Sequence, residues 1–353
     1  MIISILGARP QFVKAAAVSR AFAQAGISET IVHTGQHYDD NMSKLFFDEL
    51  DIAPPAVNLG IGGGSHGQNT GRMLEALERV FVDLKPRTVL VYGDTDSTLA
   101  GALAASKLGV RVAHVEAGLR SFNRLMPEEI NRVLVDHLSD LLFVPTKNAV
   151  ANLAREGIEG ASLVGDVMFD AAIHFGARVA NRRPPADNLP SEYALATVHR
   201  ASNTDHRETL SVILDGFAKC PLPIILPLHP RTKARLDGFD LVVPPTVRVL
   251  PPVGFLDMIW LERHASVILT DSGGVQKEAY FHGTPCVTLR EETEWSELVD
   301  AGWNRLCPPR SGDAIRAAVV ESLSSKPEPA SLYGDGAAAR RIAQILVQEA
   351  ATG

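Results

Sequence analysis

Short apolar runs alternate with stretches of helical periodicity along nearly the whole chain, and this rhythm limits the fold more than any other feature. IISIL (2–6), TIVHT (30–34), TVLVYGD (88–94), VRVAHVE (110–116) and LLFVPT (141–146) read as strands. Between them, Phe12 to Ala25, Gln68 to Leu84, Leu99 to Leu108 and Glu128 to Leu138 carry apolar residues at helical spacing. A strand that is apolar along its whole length must be covered on both faces, and an intervening helix provides that cover, so the pattern predicts an α/β chain with parallel sheets. The rhythm breaks at NRRPPADNLP (181–190), where three prolines can neither join a sheet nor continue a helix. It resumes with YALATV (193–198), PIILPLH (223–229), VRVL (247–250), SVILTD (266–271) and PCVTL (285–289). The architecture repeats, whereas the sequence does not.

The expected organisation is therefore two Rossmann-like doubly wound domains facing a cleft: residues 1–180, a linker at 181–190, and a second domain at 191–335. A chain of 353 residues is long enough for two such cores. Its formal charge of −7 gives no general attraction to nucleic acid or to an anionic membrane, which favours a small-molecule partner. Cys220, Cys286 and Cys307 lie far apart without a CxxC spacing, so neither a disulfide framework nor a zinc knuckle is expected. Gly7, Ala8, Arg9 and Pro10 interrupt the first apolar run well short of a signal peptide or membrane span. The expected compartment is the cytoplasm.

Open α/β sheets bind ligands at the carboxyl ends of their strands, so the residues just beyond each strand matter most. The first strand leads into GARPQFVK, which puts Arg9 and Lys14 at a helix start suited to an anion. The strand TVLVYGD ends at Gly93 and Asp94, and the next ends in HVEAGLRS with Glu116 and Arg120, so acids stand at successive strand tips. In MPEEINR, Pro127 pre-sets a first helical turn in which Glu128 and Glu129 either favour the positive helix end or serve chemistry.

In the second half, TVHRAS places His199 just beyond a strand, and LPLHPRT does the same for His229 and Arg231, each a candidate phosphate ligand. TDSGGVQKEA is the most informative segment. Ser272, Gly273 and Gly274 remove bulk so that backbone N–H groups at a helix start can approach a pyrophosphate, with Glu278 one turn in and suited to ribose hydroxyls. The plain alternative is a helix cap made by Asp271 or Ser272. GGGSHG (62–67) matches GxGxxG but follows no long strand, so it is not read as a dinucleotide site. His114 with Glu116 forms HxE, yet Pro285–Cys286 lacks a second cysteine, and no metal is expected.

Taken in order, GARPQFVK, TGQH, YGDTDST, HVEAGLRS, MPEEINR, TVHRAS and TDSGGVQKEA resemble the bacterial non-hydrolysing UDP-N-acetylglucosamine 2-epimerases over essentially the whole chain. The resemblance implies the glycosyltransferase-B type of fold, a C-terminal helix (336–353) returning to the first domain, a homodimer, and no metal or nicotinamide cofactor. It implies Asp94, Glu116, Glu128, His199 and Lys14 as the catalytic set. Arg9, His229, Arg231, Ser272, Gly273, Gly274 and Glu278 would bind the substrate. The implied reaction converts UDP-N-acetylglucosamine to UDP-N-acetylmannosamine by loss and re-addition of UDP through a 2-acetamidoglucal, supplying surface-polysaccharide synthesis.

Trp295 stands where many relatives carry an arginine, and LPLHPRT replaces their H-x-N-P. The spacing TGQHYDDNM differs from the QHxxM form that holds an activating second UDP-sugar, so allosteric activation is not expected. SFNRLMPEEINR, PVGFLDMIWL and TDSGGVQKEAYF resemble the branch acting on UDP-2,3-diacetamido-glucuronate, the alternative substrate. Rival classes sharing the fold are a retaining glycosyltransferase and a non-catalytic UDP-sugar sensor, neither of which requires all three acids.

Overall fold

The computed structural model describes residues 1–36, 47, 49–325, 327 and 331–352. The chain divides into two units, the first comprising Met1–Ala171 with Tyr333–Gly353 and the second Ala172–Leu332.

In unit 1, strands β1 (Ile2–Leu6), β2 (Glu29–His33), β3 (Val57–Asn58), β4 (Thr88–Tyr92), β5 (Arg111–Val115), β6 (Leu141–Val144) and β7 (Ser162–Leu163) form one sheet in the order β3-β2-β1-β4-β5-β6-β7. Every pairing is parallel. The crossovers carry helices α1 (Arg9–Ala25), α2 (His66–Leu84), α3 (Asp96–Lys107), α4 (Pro127–Leu138) and α5 (Lys147–Arg155). Ile3, Ile5, Val89, Val91 and Val112 of the central strands bury against Met73, Leu77 and Phe81, one face of α2. Helix starts are capped as their sequences allow. Ser65 accepts from Gln68 N, Thr95 from Thr98 N, and Pro127 occupies the first turn of α4.

Unit 1 is completed by chain that follows unit 2. Helix α6 (Val167–Val179) contains the unit boundary, and Asp170 within it accepts hydrogen bonds from the amides of Ala338 and Ala339 at 3.1 and 2.8 Å. These residues open the last helix, Ala338–Thr352, which packs on α1. Arg87 donates to the carbonyls of Glu349 and Ala350 near its end.

Unit 2 repeats the winding. Its elements are β8 (Ala194–Thr197), α7 (Ala201–Thr204), α8 (Arg207–Ala218), β9 (Ile224–Pro227), α9 (Pro230–Gly238), β10 (Val247–Leu250), α10 (Phe255–His264), β11 (Val267–Thr270), α11 (Gly273–Phe281), β12 (Cys286–Thr288), α12 (Ser296–Asp300), β13 (Asn304–Leu306) and α13 (Gly312–Ser324); the helix closing unit 1 is α14. The parallel sheet has the order β10-β9-β8-β11-β12-β13. One face packs Ala196, Leu226 and Leu269 against Ile213, Phe217 and Ile315, and the other packs Leu195, Ile225 and Ile268 against Leu261 and Ala279. The proline-rich stretch is part of this packing: Ala186 and Leu189 lie on the second face, and Arg248 donates to the carbonyls of Asp187 and Asn188.

In each unit the chain winds outward, then returns beside its first strand to wind the other way. The reversal falls between β1 and β4 in unit 1 and between β8 and β11 in unit 2. These are the switch points at which doubly wound sheets form ligand crevices. No helix among the described residues is long and apolar enough to cross a membrane.

Candidate functional site

At the unit 1 switch point the exits of β1 and β4 are joined by Gln11 of α1. Its side-chain oxygen accepts from Gly7 N and Ala8 N at 2.7 and 2.9 Å, and its nitrogen donates to the Tyr92 carbonyl at 2.8 Å. Gly7 is required there, because a Cβ would run into the hydroxyls of Ser97 and Thr34. One turn further along α1, Lys14 forms an ion pair with Glu116, both side chains being almost fully buried. The pair rests against Gly93, where a Cβ would lie 3.2 Å from Lys14 Nζ and 3.3 Å from Glu116 Oε2. The Gly93 φ of +65° adds a second reason for glycine. Glu116 adopts φ +73° without being glycine, a conformation costly enough to mark the position.

Asp94, one residue beyond Gly93, forms an ion pair with Arg132 of α4. Arg132 also bonds Glu129 at 3.0 Å, and Asn131 donates to the Asp94 carbonyl at 3.0 Å and to Asp96 at 3.2 Å. The two first-turn acids of α4 differ in what surrounds them. Glu129 is buried and accepts from Ser121 N, Ser121 Oγ and Phe122 N, each at 2.9 Å, so it holds the loop before the helix. Glu128 is exposed and makes no hydrogen bond or ion pair among the described residues. The side chain of Arg9 and residue His37 of TGQH lie outside what the structure describes.

At the unit 2 switch point Asp271, fully buried, accepts from His199 N at 3.1 Å, Arg200 N at 3.0 Å and Asn203 Nδ2 at 3.0 Å. It therefore fastens the exit of β8 and does not cap its own helix. Ser272 at the start of α11 makes no side-chain cap either. First-turn amides have no intrahelical acceptor, so the N–H groups at Gly273 and Gly274 stay available to an anion. The Gly273 carbonyl, on the other side, accepts from the Trp295 indole at 3.0 Å, and that ring lies 4.1 Å from Lys277 Nζ. A Cβ on Gly273 would approach Glu294 Oε1 to 2.9 Å. Glu278 sits half-buried further along α11.

The rings of His199 and His229 lie 5.4 Å apart, and His229 opens α9 by accepting from Arg231 N at 3.1 Å. Arg231 turns its guanidinium to Asp205, with both oxygens at 2.7 Å. Its charge is thus already matched, and the hydrogen bond from Arg231 also holds the Asp205 carboxyl below its usual range. Gln11, Asn131, Arg132 and Asn203 escaped the reading of the sequence. Only Arg132 left a signal, the i, i+3 spacing from Glu129 within MPEEINR.

The chain is similar along nearly its whole length to proteins of one family. Residues 20–347 match the family model described as UDP-N-acetylglucosamine 2-epimerase. A UDP-2,3-diacetamido-2,3-dideoxy-D-glucuronate 2-epimerase from Pseudomonas aeruginosa is 50% identical, over 98% of this chain and 99% of its own. A UDP-N-acetylglucosamine 2-epimerase from Methanocaldococcus jannaschii is 44% identical, over 97% of each chain. The crystal structure of UDP-GlcNAc 2-epimerase from Methanocaldococcus jannaschii, in complex with UDP-GlcNAc and UDP, superposes with a TM-score of 0.92 over 99% of this chain and 100% of that one. The Neisseria meningitidis structure bound to UDP-GlcNAc, 28% identical, gives 0.88 over 98% and 99%.

Proposed function

The chain belongs to the UDP-N-acetylglucosamine 2-epimerase family, and from that premise we propose that it inverts C2 of a UDP-linked 2-acetamido sugar by eliminating UDP and adding it back. It is an epimerase, and therefore an isomerase. The observation that carries the proposed chemistry is the pair of carboxylates at the unit 1 strand exits, Glu116 against Lys14 and Asp94 against Arg132, with Glu128, without a partner among the described residues, in the first turn of the helix that bears Arg132.

The C2 proton is weakly acidic because the ring has no neighbouring carbonyl. It leaves as the C1–O bond to UDP breaks, a carboxylate taking the proton while the electron pair of C1–O departs with UDP, and a 2-acetamidoglucal remains. Protonation of C2 from the opposite face, as a UDP oxygen re-forms its bond to C1, gives the epimer. Two acids on different faces are needed for this, and positioned general acids and bases of this kind contribute about 10²–10⁴-fold each. Asp94, Glu116 and Glu128 are assigned this work, with Lys14 holding Glu116. The open amides of Gly273 and Gly274, with Ser272, His199 and His229, are assigned the diphosphate, and Glu278 the ribose. Arg231 joins them if it exchanges Asp205 for phosphate, and Arg9 completes the proposed substrate set.

UDP-N-acetylglucosamine is the first substrate to test. UDP-2,3-diacetamido-2,3-dideoxy-D-glucuronate is the second, favoured by the 50% identity to an enzyme named for it. The proposal includes no metal or nicotinamide, a homodimer, a cytoplasmic compartment in which the free thiols of Cys220, Cys286 and Cys307 persist, and a role in supplying polysaccharide synthesis. Proton NMR in D2O with each UDP-sugar is the test. Deuterium at C2 together with the C2 epimer supports the reading and identifies the substrate. Release of free UDP with no epimer, or no exchange on either sugar, overturns it.

A further inference from the structure

Beneath the unit 1 carboxylates lies a buried group of charges that the proposed chemistry does not use. His114 on β5 is fully buried, with Nδ1 2.8 Å from Asp136 Oδ1 and Nε2 2.7 Å from the Gly93 carbonyl. The other oxygen of Asp136 accepts from Arg120 at 2.7 Å and from Gly118 N at 3.1 Å. Arg120 is held in turn by both oxygens of Glu156 at 2.7 Å.

The Gly93 carbonyl can only accept, so Nε2 carries a proton. A neutral ring would then need Asp136 to donate to Nδ1. Oδ2 of Asp136 accepts from the permanently charged Arg120 guanidinium and from Gly118 N, groups that can only donate, and these hold the carboxyl ionised against its burial. Asp136 is therefore ionised and accepts from both sides, which leaves a proton on each nitrogen of His114. Two positive groups, His114 and Arg120, balance two negative ones, Asp136 and Glu156. Glu156 closes the set at its partly exposed rim, whereas removing any of the buried members His114, Asp136 and Arg120 leaves an uncompensated charge in the interior.

We infer that His114 is a buried imidazolium and a positioning residue for the epimerisation proposed above, joining with Asp136 and Arg120 to hold the carriers of the three proton-handling acids in one register. Each acid is attached to this unit through its own chain segment. Gly93 precedes Asp94, His114 on β5 lies two residues before Glu116, which follows the end of that strand, and Asp136 is on the helix whose first turn bears Glu128. Glu116 keeps its left-handed backbone at the centre of the arrangement.

Two measurements test the inference. Nitrogen-15 NMR of the histidine rings in the intact protein at pH 7.5 should show His114, assigned by its loss in His114→Gln, with protons on both nitrogens and slow exchange. A bare ring nitrogen at His114 overturns the inference, whatever the variants do. In kinetics, Gln keeps the volume and one donor but no charge. His114→Gln should lower kcat about 10²-fold, the scale of an ångström of misplacement, with KM within about threefold. Asp136→Asn should match it, and the double variant should fall no more than about threefold below either single one, because members of one unit do not add. Additive losses, or a change in KM alone, overturn it. Should wild-type protein fail to exchange C2 of either sugar in D2O, the proposed function falls while the ring NMR still decides the charge on His114.

Discussion

The two switch points occupy the same place in the same winding, yet their chemistry is opposite. In unit 1 the strand exits present carboxylates, each gripped by a cation: Glu116 by Lys14 and Asp94 by Arg132. In unit 2 the carboxylate at the β11 exit, Asp271, is buried and spent on the β8 exit, which leaves a glycine helix start with open amides. One end is suited to moving protons and the other to holding an anion. The fold supplies the location, and a few residues after each strand decide what happens there.

The comparison breaks most visibly at Asp94. Asp94→Asn should lower kcat about 10³-fold, within the range of a lost general acid or base, with UDP affinity measured by calorimetry changed less than about twofold. Equal losses in both would erase the division of labour. Next in size is Asp271→Ala, which strands the amides of His199 and Arg200 and the side chain of Asn203 in a buried site. A loss of about 3 kcal/mol is expected in urea unfolding followed by a probe in unit 2. A cost near zero would mean that the β8 exit is held by something else.

Gly274→Asp places a negative charge where an anion is proposed to sit. UDP affinity should drop about tenfold or somewhat more, with kcat at saturation largely kept, and calorimetry beside saturation kinetics separates the two. The smallest effect concerns acid. The Glu156 carboxyl is held below its usual value by its hydrogen bond from Arg120, so its stabilising contribution is complete above the unfolded glutamate value of about 4.3 and is lost as pH falls through the lower folded value. Glu156→Gln should therefore lose less stability than wild type between about pH 5 and 3, as followed by urea midpoints. Identical slopes would show that Glu156 contributes nothing.

The parallel winding was legible because central strands buried on both faces are apolar from end to end, as β1 and β4 are. The edge strands β3 and β7, two residues each, and β13 of three left no run to detect. At the sites, acids and glycines stood out because they follow such runs directly. Their supports did not. Gln11 meets the Tyr92 carbonyl across 81 positions, and Asn203 meets Asp271 across 68, distances at which local spacing carries no information. The role of His114 was hidden differently: beside Glu116 it spells HxE, a metal-site fragment, while its ring is committed to Asp136 and Gly93.

The helix α14 has a consequence for biosynthesis. It packs on α1 and is tied by Asp170, Arg87 and Arg111, all of them made before unit 2, while α14 itself is translated after it. A ribosome adding about 5–20 residues per second makes the 161 residues from 172 to 332 in roughly 8–32 seconds. Through that interval the nascent first unit presents the uncovered side of α1 to chaperones and neighbouring chains. The contiguous second unit meets no such delay, so on the ribosome the stretch synthesised second is the first able to finish.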